Sequence, residues 1–194
     1  MPSDLLQAAL RYAASGLAVV PIQPRAKGPS LVPLEQATTN QATIRDWWGR
    51  RPNAGIGLPL GRLVVVDVDD EEGVASLARL VATYGNPPAG PVARTGSGLH
   101  LYFSTAGRLV ESSFHLDGGG LGPGIDVLGE GGWTQLPPTE HPSGVRYQWL
   151  AEPLGAIQAP PLPAWMTTAR RDYAPGRGLL LPAFYTLAST PAES

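Results

Sequence analysis

The sequence predicts a mixed α+β fold, and three observations predict it. Residues 71–84 carry Val74, Leu77, Ala78, Val81 and Tyr84 at helical spacing on one face. Runs at 62–68, 99–104 and 125–128 are rich in branched apolar residues and too short for helices. The 24 glycines and 21 prolines among 194 residues break the chain into many short elements joined by ordered loops. Helical and strand patterns do not alternate regularly. A strand-helix-strand-strand core is therefore expected, rather than a full doubly wound sheet.

The elements follow in order. Ser3 is placed to cap a helix over residues 4–15, with Leu5, Ala9, Leu10 and Tyr12 or Ala13 on its apolar face, and Gly16 ends it. Residues 17–22 read as a strand that stops at Pro21 and Pro24, and a loop over 23–36 carries the single lysine, Lys27. Thr39 or Asn40 can cap a short helix through Ile44, Trp47 and Trp48. Residues 54–58 and 62–68 read as two strands joined through Pro59-Leu60-Gly61, and the 71–84 helix closes at Gly85. Further strands are expected at 92–95, 99–104, 125–128, 133–136 and 145–150, with a glycine-rich loop at 118–124 and a hairpin turn at 129–132. Residues 153–163 read as a Pro-rich linker and 163–173 as a terminal helix with proline near its first turn; the tail beyond Pro175 reads as weakly ordered.

Composition narrows the chemistry. Without cysteine, the chain has no disulfide, thiolate zinc site or cysteine nucleophile. No apolar stretch reaches the length of a membrane span, and Asp4 stands where a signal peptide would be basic, so a cytoplasmic protein is expected. A net charge of −2 argues against tight binding of nucleic acid by the whole surface, while leaving room for a local basic groove.

Three motifs carry chemistry. In the first, the run from Arg62 ends in Asp67-Val68-Asp69, and i, i+2 spacing puts both carboxylates on one strand face, with Val66 and Val68 on the other. A divalent cation would relieve their repulsion, and hard oxygen ligands suit Mg²⁺ or Mn²⁺. The alternative is that the acidic run through Glu72 ends a strand and favours the next helix N-terminus. The second motif, Arg94 to Phe103, is a Gly/Ser turn leading into a strand with His100, Tyr102 and Ser104 on one face. Its glycines allow backbone N–H groups near an anion, and His100 could donate to a phosphate; a plain hairpin turn is the alternative. In the third, Asp126 interrupts an apolar strand, where a carboxylate needs a partner; an arginine such as Arg94 or Arg146 would suffice.

Together these pieces resemble the N-terminal prim-pol domain of bifunctional DNA primase/polymerases, in the archaeo-eukaryotic primase superfamily. Its acid-x-acid, small-x-His and hydrophobic-Asp motifs fall, in order, on Asp67-Val-Asp69, Gly98-Leu-His100 and Ile125-Asp126. Flanking segments also match, from Gly16-Leu-Ala-Val-Val-Pro21 to Tyr147-Gln-Trp149, so the resemblance runs from about Leu10 to Leu150. It implies a primase-like catalytic core with RRM-like strand-helix-strand units, an N-terminal αβ unit, and a catalytic domain over residues 1–152.

The resemblance further implies a template-dependent nucleotidyltransferase acting on single-stranded DNA and a primer, with NTP or dNTP as substrate. Asp67, Asp69 and Asp126 would hold two Mg²⁺ or Mn²⁺ ions, and His100 would contact the triphosphate with backbone N–H groups at Ser97 and Gly98. Lys27 and Arg94 are candidate phosphate contacts, and Thr139 and His141 candidate pocket residues, with surface solvation and a rigid turn as alternatives. Trp47, Trp48, Trp133 and Trp149 could stack bases, although indole rings more often fill cores. The sequence has no Walker A motif, so a separate replicative helicase is a possible partner and the chain reads as a stripped-down module or a fragment. Two other functions use the same residues or fewer: a metal-dependent phosphoesterase or nuclease, and a non-catalytic nucleic-acid-binding replication module.

Overall fold

The computed structural model describes residues 3–25, 30–117, 120–151, 155 and 158–168. The fold is α+β. Helix α1 (Asp4–Ala14) leads into strand β1 (Val20–Ile22), α2 (Gln41–Arg50), β2 (Gly55–Pro59) and β3 (Leu63–Asp69). Then come α3 (Asp70–Tyr84), β4 (Val92–Arg94), β5 (Gly98–Ser104), β6 (Ile125–Leu128), β7 (Trp133–Leu136), β8 (Gln148–Trp149) and a short α4 (Trp165–Thr168). Short 3₁₀ turns at Leu34–Gln36 and His115–Asp117 complete the description.

The strands form two sheets, one of order β1-β2-β7 and one of order β6-β3-β5-β4-β8. Every strand pairing in them is antiparallel. The hairpin expected at 129–132 crosses between sheets instead, and so does the connection between β2 and β3. β2 and β3 separate at Pro59, and the turn at 129–132 carries the chain from β6 in one sheet to β7 in the other. Both connections are short enough for a hairpin, so spacing alone gives no sign of the change.

Local chemistry accounts for the helices. Ser3 Oγ accepts the Leu6 N–H, and Asn40 Oδ1 accepts the N–H groups of Ala42 and Thr43. Asp70 Oδ1 does the same for Glu72 and Gly73 at the start of α3. The buried stripe of α3 is Gly73, Ser76, Leu77 and Leu80, rotated from the expected one, and Tyr84 stacks on Trp165 at 5.5 Å. The rotation has a steric cause. Gly73 lies against the backbone of Gly124, a contact that no side chain at either position permits.

Pro21 lies inside β1, paired with Ile56, rather than ending it. The sheet tolerates this because β1 is an edge strand, where a missing N–H leaves no ladder bond broken. The strand expected over 145–150 contracts to β8. Residues 158–168, read as linker and helix, pack onto the body: Ser104 exchanges backbone hydrogen bonds with Pro160 and Leu162, and Leu162 and Met166 are buried. The rest of the expected terminal helix and tail lies outside the described residues. Among the described residues, no helix is long and apolar enough to cross a membrane.

Candidate active site

Strand β3 is the axis of the site. Its alternation sends Val64, Val66 and Val68 into a core with Leu77 and Leu80 of α3, and turns Asp67 and Asp69 to the opposite face. Asp67 stands opposite His100 of β5 on one side and Asp126 of β6 on the other. Directly opposed residues of neighbouring strands share a face, with Cβ atoms about 5 Å apart. Asp126, Asp67 and His100 therefore form one row across three strands, and Asp69 follows at the strand end opposite Gly98.

The row faces a cleft of about 360 Å³. Its opposite wall is Trp133, Thr134 and Gln135 of β7, so the cleft lies between the two sheets. Phe114, His141 and Tyr147 complete its rim, and no lysine or arginine is among its lining residues. A larger cleft of about 680 Å³ beside α1 and β8 shares only Tyr147 with it and holds no carboxylate among its lining residues.

Each carboxylate has one oxygen engaged by a different segment. His100 Nε2 stands 3.3 Å from Asp67 Oδ1, and Ser97 Oγ donates to Asp69 Oδ1 at 2.7 Å. Asp126 Oδ1 receives two contacts from His115, its backbone N–H and its ring Nδ1, each at 2.7 Å. On the far side of the His100 ring, Nδ1 lies 3.1 Å from Thr134 Oγ1 and 3.5 Å from the Tyr102 hydroxyl. Thr134 can donate to Nδ1, which leaves Nε2 as the ring atom that faces Asp67 Oδ1. Tyr147 is buried beside His100, ring centroids 5.6 Å apart. Burial, and then the charges of Asp67 and Asp69, push its phenol well above the ordinary range and keep its O–H as a donor.

Three carboxylates facing one cleft with no cation among its lining residues match the donor preference of Mg²⁺ or Mn²⁺, and a thiolate-seeking metal finds nothing there. In the arrangement seen, their Oδ1 atoms turn to separate partners. Among the described residues, no group of three acidic or histidine side chains converges to hold an ion.

The other expected contacts are distributed unevenly. Ser97 and His141 line the cleft, and Gly96 passes so close to the His141 ring that any Cβ there would collide with it. The N–H groups of Ser97 and Gly98 are turned onto Thr95 Oγ1, at 3.3 and 2.9 Å, so the Gly/Ser turn closes on its own threonine. Thr139 is buried outside the cleft, where its Oγ1 accepts the Ile56 N–H at 2.8 Å. Arg94 is paired with Leu99 and so shares the α3 side of the sheet, away from the carboxylate row. Lys27 lies outside the described residues. Of the tryptophans, Trp48 fills the core, Trp47 and Trp149 pack against it, and Trp133 alone of these four lines the cleft.

His115, Phe114, Thr134 and Tyr147 join the site although sequence reasoning gave them no part in it. Only Tyr147 carried a signal, since it lies in a flanking segment that matched the family.

Residues 9–165 match the family model described as bifunctional DNA primase/polymerase, N-terminal, while no curated protein matches the chain. The matched span covers most of the sequence and includes the row of Asp126, Asp67 and His100, Asp69, and the β7 wall facing them. By that match, the chain belongs to the family of bifunctional DNA primase/polymerase N-terminal domains.

Proposed function

We propose that this chain is a template-dependent nucleotidyltransferase, extending or initiating a strand on single-stranded DNA from NTP or dNTP. The carrying observation is the alignment of Asp126, Asp67 and His100 in one row, with Asp69 beside it, facing a cleft large enough for part of a nucleotide. Family membership supports the class of reaction and the DNA and nucleotide substrates.

Asp67, Asp69 and Asp126 would hold the divalent ions that this family uses. When bound, such ions supply Lewis-acid stabilisation of the attacking and leaving oxygens in phosphoryl transfer. The chain's own residues contribute position and field. Strand pairing sets the spacing of the carboxylates, and each is oriented by its partner at Oδ1. Thr134 fixes the His100 ring from behind, so Nε2 is the atom available to turn from Asp67 to a phosphate oxygen. Phe114 and Trp133 offer apolar faces to a sugar or base at the rim. A triphosphate would be repelled by three carboxylates alone, so nucleotide affinity should depend on divalent ions.

The test is extension of a labelled primer on single-stranded DNA, and synthesis without a primer, using NTP or dNTP with Mg²⁺ or Mn²⁺. Metal-dependent extension should fall at least about 100-fold in Asp67→Ala/Asp69→Ala, given the loss of preorganised charge at the reacting centre. Hydrolysis of DNA or nucleotide without extension would support a phosphoesterase instead. DNA binding with neither reaction would leave a binding module.

A further inference from the structure

We infer that His115 is a positioning residue for Asp126, fixing one carboxylate oxygen so that the other can serve a divalent ion. This deepens the proposed function and rests on it.

The geometry is specific. Two donors from one residue, the backbone N–H and the ring Nδ1, meet the same oxygen, Asp126 Oδ1, each at 2.7 Å. Among the described residues, no hydrogen bond reaches Asp126 Oδ2. Asp126 and His115 are both partly buried, with side chains 19% and 23% exposed, so these bonds are incompletely screened by water.

The surrounding backbone is built to hold His115 there. Ser113 exchanges two backbone hydrogen bonds with Val127, the residue after Asp126, at 2.8 and 2.9 Å. Ser113 Oγ also accepts the Gly120 N–H at 2.7 Å. Gly120 has φ +66°, a Cβ there would strike the Ile125 carbonyl oxygen, and the His115 backbone packs tightly beside it. Apolar burial does not explain the placement: the neighbours Phe114 and Leu116 are 42% and 87% exposed. The contact with Asp126 is what the segment delivers.

A carboxylate bonded through one oxygen loses rotational freedom before a ligand arrives, so less entropy remains to be lost on binding. Outer partners of metal-binding side chains typically alter affinity by 10–100-fold. His115 does this by hydrogen bonding and need not touch the nucleotide.

The experiment measures Mn²⁺ affinity of the whole chain without nucleotide, by electron paramagnetic resonance, in wild type, His115→Ala, His115→Asn and His115→Gln. Asparagine can place an amide N–H near the position of Nδ1, whereas the glutamine amide lies one methylene farther out. His115→Ala and His115→Gln should weaken Mn²⁺ binding about 10-fold. They should also lower metal-dependent primer extension at limiting Mn²⁺, and part of that loss should return at high Mn²⁺. His115→Asn should stay within about 3-fold of wild type.

Unchanged Mn²⁺ affinity in His115→Ala would overturn the inference, as would equal behaviour of the Asn and Gln variants. If the alanine variant fails to fold, the Asn–Gln comparison decides. A wild-type chain that binds Mn²⁺ but makes no product overturns the polymerase reading alone, because His115 is judged on affinity. Wild-type Mn²⁺ affinity in every variant, with normal extension throughout, overturns the His115 inference alone, and a wild type that binds no Mn²⁺ overturns both.

Discussion

Thr139 is 1% exposed, and its hydroxyl accepts the Ile56 N–H at the start of β2. Its methyl group lies on the backbone of Gly55, where a Cβ would collide with it. Thr139→Val keeps the shape and removes the acceptor, stranding a buried N–H at a cost of about 1–3 kcal/mol. Thermal denaturation should show a fall of roughly 3–10 °C, with nucleotide KM unchanged. A rise in KM without a change in melting would instead return Thr139 to the nucleotide pocket. The same distinction explains what was readable at single positions. Asp67 and Asp69 were legible because alternation along one strand decides their common face. Arg94 was harder to place because its face follows from pairing with Leu99, a matter of register between strands. His115 was missed because it reaches Asp126 through a turn and a bridge at Ser113, neither of which leaves a periodic trace.

Most strands and helices fell close to their expected residues, since apolar runs and Gly/Pro breaks are local properties. Sheet membership did not, because the chain can leave a sheet within a turn as short as one that makes a hairpin. The seam between β3 and β5 shows how tightly an element can be specified once it is placed. Gly98 pairs with Asp69, and a Cβ at Gly98 would enter the space of the Val68 carbonyl oxygen. Unlike a flexible side chain, that backbone has nowhere to retreat. Gly98→Ala should cost about 3 kcal/mol and open the pairing at the Asp69 end of β3. Hydrogen exchange should reveal the opening as faster exchange at this end, with the middle of β3 still protected. Uniform protection with unchanged melting would show that the strands accommodate the methyl group.

Across the whole molecule, buried phenols join parts that are distant in sequence. Tyr12 of α1 donates to the Pro137 carbonyl at 2.6 Å and accepts from Trp149 Nε1 at 2.9 Å. Tyr102 of one sheet reaches the Gln135 carbonyl of the other at 3.4 Å. Burial pushes Tyr12 up to about 12 from 10.0, and raises Tyr102 and Tyr147 as well. A raised pKa means that the folded chain keeps protons the unfolded chain has released. The resulting stability is complete below pH 10 and is lost as pH rises through the folded values, about 2 kcal/mol for Tyr12 alone by pH 12. In an alkaline titration, phenolate absorbance from these three residues should appear only together with loss of the far-ultraviolet dichroism signal. Their ionisation near pH 10 in a chain still folded would contradict the burial seen here.

The cleft between the sheets has a consequence for how such a domain can diverge. Its acidic row and His100 belong to one sheet, while Trp133 and Gln135 facing them belong to the other. Substitutions on the β7 wall can reshape what the cleft admits and leave the opposing row's strand pairing intact. Thr134 is the point where that freedom stops, because its hydroxyl holds the His100 ring from across the gap. A lineage that changes its substrate is therefore expected to vary at 133 and 135 before it varies at 134.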